Sequence, residues 1–145
     1  MNSFNLVLLT MTLTFASASF AQVRDNRFSP SSDFLVDYDF FKMKTGRPIG
    51  STAGISISPD GESIWVFDRC GANDCMGSDL DPIMRFDLEG NQLASFGSNM
   101  FVRPHGLHID FEGNVWVTDG EGPNGEDPRR EGKGHQVFKL SLIHI

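Results

Sequence analysis

Hydrophobic and polar residues alternate on both sides of a short turn between residues 106 and 119. Leu107 and Ile109 alternate with polar residues, which is typical of a strand with one buried face. The turn residues lie at 111–114, and Gly and Asn among them tolerate a positive φ. A run of β-formers over 115–118 follows the turn. The pattern therefore predicts a β-hairpin.

The same pattern occurs once before in the chain. Residues 54–68 match residues 106–119 with one extra residue in the turn, and the two copies begin 52 residues apart. Each copy is followed by a further predicted strand, at 83–86 and at 135–138. The first copy continues through a Gly-Asn turn into another strand that ends at Phe96, which predicts a second hairpin. Antiparallel strands that repeat at about fifty residues are typical of β-propeller blades.

No helix is predicted in the mature sequence, because no stretch of ten or more residues keeps apolar side chains at helical spacing without Gly or Pro. A further strand is predicted over residues 34–41, which alternate and are rich in aromatic side chains. The predicted fold is all-β, with about two blades of a propeller. Because propellers close with roughly four to eight blades, we expect a truncated ring that does not fold stably alone.

Both ends of the chain carry special segments. Residues 1–21 lack charged side chains, contain a short apolar run and end on small residues, which predicts a signal peptide cleaved after Ala21. No later segment is apolar enough to span a membrane, so we expect a secreted or periplasmic protein. Residues 22–53 form a predicted N-terminal arm with a first strand, and residues 54–139 the incomplete blades. Residues 140–145 resemble the translation of a transposase adaptor used in sequencing, and a natural short strand is the alternative.

The net charge excludes some classes of binding partner, and the two cysteines suggest a disulfide. The formal net charge of −7 argues against nucleic acid and anionic membrane surfaces as partners. Cys70 and Cys75 are the two cysteines of the chain, and in an oxidising compartment a disulfide between them is expected. A zinc site built on this pair is less favoured, because zinc pairs have shorter spacing and a second pair.

Two residues outside these patterns are candidates for chemistry. His105 follows Pro104 at a strand entrance, and it is either an ordinary loop histidine or a metal ligand. A propeller fold favours the metal-ligand interpretation, because strand entrances converge around the propeller axis and residues from separate blades can bind one ion. Arg69 follows the second strand of its blade and could bind a carboxylate through a bidentate pair. A surface ion pair with a nearby Asp is the equal alternative.

From about Gly54 to Leu140 the chain resembles the peptidyl-α-hydroxyglycine α-amidating lyase family. The resemblance depends on Pro-His-Gly-Leu at 104–107, on Trp-Val-Thr-Asp at 116–119 and on His-Gln-Val-Phe-Lys-Leu at 135–140. It implies a six-bladed NHL-type β-propeller with a catalytic zinc ion and a structural calcium ion. It also implies a reaction that splits a C-terminal α-hydroxyglycine into a peptide amide and glyoxylate, with a peptide C-terminus or small molecule as substrate.

The resemblance also assigns roles by position. His105 corresponds to a zinc ligand, and the carbonyls of Leu107 and Ile55 correspond to calcium ligands. Arg69 corresponds to the active-site arginine. Two further histidines and a tyrosine of the family would lie downstream of this chain, and the loops at 70–75 and 121–134 look foreign to the animal enzymes. A non-catalytic NHL-repeat binding propeller, or a lactonase-like hydrolase with a carboxylate-rich calcium site, is the alternative function.

Overall fold

The computed structural model describes residues 35–44 and 46–141. The contacts divide the chain after Val36, and every element below lies in the unit that begins at Asp37. The predicted signal peptide lies outside the described residues, as do residues 142–145 of the segment predicted to be adaptor-derived. The predictions for both segments therefore stay predictions.

The first sheet is a four-stranded antiparallel meander in which each strand pairs with the next strand of the sequence. Its strands are β1 (Thr52–Ile57), β2 (Ile64–Asp68), β3 (Ile83–Phe86) and β4 (Gln92–Phe96).

The second sheet repeats this order with three strands. They are β5 (Pro104–Ile109), β6 (Val115–Asp119) and β7 (Val137–Leu140). One 3-10 turn, Pro128–Arg130, lies between β6 and β7. In the part of the chain that the structure describes, no helix has the length and hydropathy needed to cross a membrane.

Aspartate side chains close the hairpin turns. In the β5–β6 turn, Asp110 Oδ1 accepts hydrogen bonds from the backbone N–H groups of Glu112 at 3.0 Å and Asn114 at 2.8 Å. Gly113 has a φ of +82°, which a residue without a Cβ adopts without strain. The turns that contain Asp60 and Asp87 are closed in the same way. The predicted hairpins are confirmed, and local side-chain bonds explain where they turn.

The main core lies between the two sheets. Phe101, from the segment that joins them, packs edge-on against Phe67 of β2 and Phe138 of β7, with ring centroids 5.0 and 5.2 Å apart. Val115 and Val117 of β6 are fully buried in the same cluster. The sheets therefore stack face to face, as successive propeller blades do. The all-β prediction is confirmed.

The other face of the first sheet is covered in part by the segment before it. Phe41 packs on Phe86 with a centroid distance of 4.6 Å, and Lys42 forms an isolated parallel bridge with Asn91. The strand predicted over residues 34–41 is wrong for the described residues 35–41, which form no strand. Asp37 Oδ1 accepts from the backbone N–H of Asp39 at 2.9 Å, and this local turn competes with an extended ladder.

Candidate functional site

Two buried aspartates mark the same end of the two sheets. Asp68, the last residue of β2, accepts hydrogen bonds from the backbone N–H groups of Gly50 at 2.8 Å and of Cys70 and Gly71 at 3.1 Å. Three N–H donors on one carboxylate hold the chain that enters β1 against the chain that leaves β2.

Asp119 does the same at the end of β6. Its carboxylate accepts from the backbone N–H groups of Val102 at 2.6 Å and Arg103 at 2.7 Å, just before β5 begins. Sequence reasoning did not assign this role to Asp68 or Asp119. The signal was present, because both copies of the repeat end on an Asp after a Trp-Val pair.

Arg47 is a further partner of the Asp68 carboxylate, and the two residues together are called the Asp68 anchor. Its guanidinium pairs with Asp68, and only 7% of the Arg47 side chain and 0% of the Asp68 side chain are exposed. It also donates to the carbonyl of Asp81 at 2.6 Å. Further hydrogen bonds offset part of the cost of burying an ion pair, and of the Arg47 nitrogens Nε is buried with no hydrogen-bond partner among the described residues. No pattern in the sequence pointed to Arg47, because its partners lie 21 and 34 residues away.

Arg69 lies next to this anchor and reaches across to the second sheet. Its Nε donates to the carbonyl of Pro104 at 3.0 Å, and its Nη1 donates to Oδ1 of Asn73 at 2.8 Å. It makes no ion pair with a residue of the described ranges, so the surface ion pair weighed as an alternative does not form there. Arg69 thus lies against the peptide group that precedes His105.

His105 lies at the start of β5 with an exposed side chain. The imidazole packs over Gly120, where an added Cβ would come within 3.0 Å of its Cδ2. Gly120 follows β6 as Arg69 follows β2, so the structure brings Arg69 and His105 to the same end of neighbouring sheets. His135, by contrast, lies before β7 with a φ of +48°, and the strand predicted from residue 135 begins at Val137.

The two predicted carbonyl ligands lie on neighbouring strands. β1 packs against β5, and a Cβ added at Gly54 would lie 2.7 Å from the Cβ of Leu107. Ile55, the next residue of β1, is 58% exposed. Leu107 and Ile55 therefore belong to the two adjoining first strands of the sheets.

The predicted disulfide is present. Cys70 and Cys75 are bonded, and both are buried in the main core. The N–H of Cys75 donates to the carbonyl of Val102 at 2.9 Å, which ties this loop to the segment before β5. The loop is therefore attached to the segment that joins the two sheets.

The loop at 121–134 is held by ion pairs. Glu121 pairs with Arg103 and with Arg130, and the bond from Arg103 is the main reason why the pKa of Glu121 is lowered. Arg129 hydrogen-bonds Asp127 and lowers the pKa of that carboxyl to about 2.

Arg129 Nη1 also lies beside Gly77, where an added Cβ would be only 2.6 Å away. The 121–134 loop therefore contacts the chain just after the disulfide loop.

The described residues contain no complete metal site. No three His, Cys, Asp or Glu side chains of this part of the chain come close enough together to hold an ion. Catalytic zinc sites use three protein ligands, so His105 could be one ligand of such a site only together with residues outside the described ranges.

Comparisons with known proteins give a consistent set of relatives. The chain is 30% identical over 129 residues to the peptidylglycine alpha-amidating monooxygenase of Rattus norvegicus, covering 77% of this chain and 12% of the relative. It is 62% identical over 26 residues to the peptidyl-alpha-hydroxyglycine alpha-amidating lyase 2 of Drosophila melanogaster, covering 18% of this chain and 6% of the relative. It is 30% identical over 86 residues to a probable lyase of that name from Caenorhabditis elegans, covering 50% of this chain and 25% of the relative. No protein-family model matches the chain.

Proposed function

We propose that this chain belongs to the peptidyl-α-hydroxyglycine α-amidating lyase family and forms about two blades of a six-bladed NHL-type propeller. The names of relatives from rat, fly and nematode support the activity. Two stacked antiparallel sheets support the architecture. We further propose that the protein is exported after cleavage at Ala21 and that its ring is completed by blades outside this chain.

The observation that carries the proposal is the contact between Arg69 and the Pro104 carbonyl beside His105. It unites, across two sheets, the two residues that the family resemblance assigns to the active site. An arginine with uncommitted donors at an open edge is suited to a carboxylate, because its planar fork matches the two oxygens. Nη2 of Arg69 makes no hydrogen bond to the described residues, so it is available for the glycyl carboxylate of the substrate.

The reaction itself is a collapse of a carbinolamide. The hydroxyl loses its proton, the carbon–oxygen bond becomes a carbonyl, the carbon–nitrogen bond breaks and the nitrogen gains a proton. The products are a peptide amide and glyoxylate. In this proposal Arg69 fixes the carboxylate end, which orients the scissile carbon–nitrogen bond.

We propose zinc and calcium as the cofactors. His105 would be one zinc ligand, and the carbonyls of Leu107 and Ile55 would be calcium ligands, with the remaining ligands supplied from outside the described residues. Zinc, when bound, supplies Lewis acidity to the substrate hydroxyl. An exposed imidazole without a hydrogen-bond partner in the described part of the chain is free to take that role.

The test is an assay of the full-length protein with an N-acyl-α-hydroxyglycine, in which glyoxylate and the amide are measured together. Release of the two in equal amounts above the rate without protein is expected. Arg69→Ala should raise KM roughly ten- to a hundredfold, since a charged hydrogen bond of ~1.5–3 kcal/mol is lost. Arg129→Ala, at an exposed arginine of the neighbouring loop, serves as the control and should leave KM unchanged.

Metal content provides a second readout. His105→Ala should lower bound zinc in the purified full-length protein, whereas His108→Ala, at an exposed histidine of the same strand, should not. Unchanged zinc in the His105 variant, together with no glyoxylate release, would favour the binding-propeller alternative. Glyoxylate release without bound zinc would contradict the metal assignment alone.

A further inference from the structure

The backbone at Arg69 is held from both sides. Its N–H donates to the carbonyl of Ser51 at 3.1 Å, and its own carbonyl accepts from the N–H of Ala72 at 2.9 Å. The residue before it, Asp68, is fully buried and anchored. The position of the guanidinium is therefore decided by the side-chain contacts rather than by movement of the backbone.

Asn73 makes one of the two side-chain contacts. Its Oδ1 accepts from Arg69 Nη1 at 2.8 Å, and this is the one side-chain hydrogen bond of Asn73 within the described residues. Arg69 Nε is occupied by the Pro104 carbonyl. With Nε and Nη1 engaged by the protein, Nη2 is the nitrogen left with both donors uncommitted among the described residues.

The loop that carries Asn73 is short and closed. The Cys70–Cys75 disulfide spans it, and the Ala72 carbonyl accepts from the N–H of Ser51 at 2.8 Å. The N–H of Cys75 donates to the carbonyl of Val102, in the segment before β5. The disulfide and these backbone hydrogen bonds therefore fix the position of Asn73 next to Arg69.

We propose that Asn73 is a positioning residue, which the Cys70–Cys75 loop holds so that Arg69 presents Nη2 to a substrate carboxylate. The proposal rests on the proposed lyase function. A flexible arginine loses rotamer freedom when it binds a ligand, and a residue that removes that freedom beforehand strengthens binding without touching the ligand. The expected effect is on substrate binding and not on the chemical step.

The first experiment measures KM and kcat in variants of the full-length protein. Asn73→Ala should raise KM about tenfold with kcat nearly unchanged, because Arg69 regains rotamer freedom that substrate binding must then remove. Asn73→Asp keeps the acceptor oxygen and should restore KM. Asn91→Ala is the matched control, since Asn91 hydrogen-bonds in the distant β3–β4 turn and should leave KM unchanged. A normal KM in Asn73→Ala would overturn the proposal.

The loop is tested with the Cys70→Ser/Cys75→Ser variant. It should raise KM in the same direction as Asn73→Ala, provided that circular dichroism shows it to be folded. If it does not fold, the two Asn73 variants decide the matter, because they leave the disulfide in place.

The second experiment does not depend on activity. Phenylglyoxal modifies accessible arginines, and the rate at Arg69 is followed by peptide mass spectrometry. Asn73→Ala should be modified several-fold faster at Arg69 than the wild type, whereas Asn73→Asp and Asn91→Ala should not. If the wild type releases no glyoxylate, the lyase proposal fails, and this rate alone decides the role of Asn73. Equal rates of phenylglyoxal modification at Arg69 in the wild type and Asn73→Ala would overturn the positioning role of Asn73.

Discussion

Single side chains close the turns of this molecule, and Asp110 does so with the most partners. Besides the two backbone N–H groups, it accepts from Asn114 Nδ2 and from Trp116 Nε1, the latter at 2.8 Å. These bonds favour the charged carboxylate, so the pKa of Asp110 falls from 3.8 to about 2, with the Trp116 bond as the largest cause. Trp116 is in turn held between Asp110 and Lys139, whose Nζ lies 5.4 Å from the ring centroid.

Acid should release this turn. A lowered folded-state pKa contributes stability above the ordinary pKa, and that contribution is lost as the pH falls from about 4 through about 2. The indole N–H resonance of Trp116 should shift in that window as its acceptor is protonated, as NMR of the full-length protein can measure. In Asp110→Asn the shift should vanish, and in Asp60→Asn it should persist, because Asp60 closes a different turn. The same transition in both variants would point to another group.

The elements depend on one another through the core between the sheets. Each sheet buries one face in this core, and Phe101 of the connecting segment joins β2 to β7 through its ring contacts. Phe101 is 1% exposed, whereas Phe111 in the β5–β6 turn is 88% exposed. The two phenylalanines thus form a matched pair, one between sheets and one on the surface.

Truncation of the two side chains should lower the free energy of unfolding by unequal amounts. Phe101→Ala should lower the free energy of unfolding by about 3–5 kcal/mol, because it leaves a cavity among packed rings. Phe111→Ala should change it by less than ~0.5 kcal/mol. Urea unfolding of the full-length protein, followed by circular dichroism, provides the comparison. Equal effects of the two substitutions would contradict the packing of the two sheets around Phe101.

At the scale of the whole molecule, both outward faces carry exposed apolar side chains. Ile55 and Ile57 of β1 are 58% and 52% exposed, and Val137 of β7 is 66% exposed. In a closed propeller these faces would lie against neighbouring blades. Blades that lack neighbours leave such faces in water and lose the burial that stabilises a repeat.

The 145-residue chain by itself should therefore be unstable. We expect no cooperative thermal transition in calorimetry, and less than one equivalent of zinc retained after dialysis against the metal. The full-length protein is the control and should show both a transition and bound zinc. A sharp transition of the isolated chain, or tight one-to-one zinc binding, would contradict the view that further blades are needed.

The sequence by itself determined the local structure. Alternation and turn residues indicated β2, β3 and the hairpins between β1 and β2, β3 and β4, and β5 and β6, because period-2 burial and Asx-type turns depend on neighbours in the chain. The repeat indicated that the second sheet copies the first. The two cysteines, together with the predicted signal peptide, indicated the disulfide between Cys70 and Cys75.

Only the tertiary structure decided what those elements bring together. Arg69 could have been a surface residue, and its contacts with Pro104 and Asn73 exist because the second sheet packs beside the first. The burial of Asp68 depends on Arg47, which is distant in the sequence. The segment at 35–41 alternates like a strand, yet a local turn and packing on Phe86 prevail over that pattern. Periodicity reports which face of an element is buried, whereas its partners follow from contacts between distant residues.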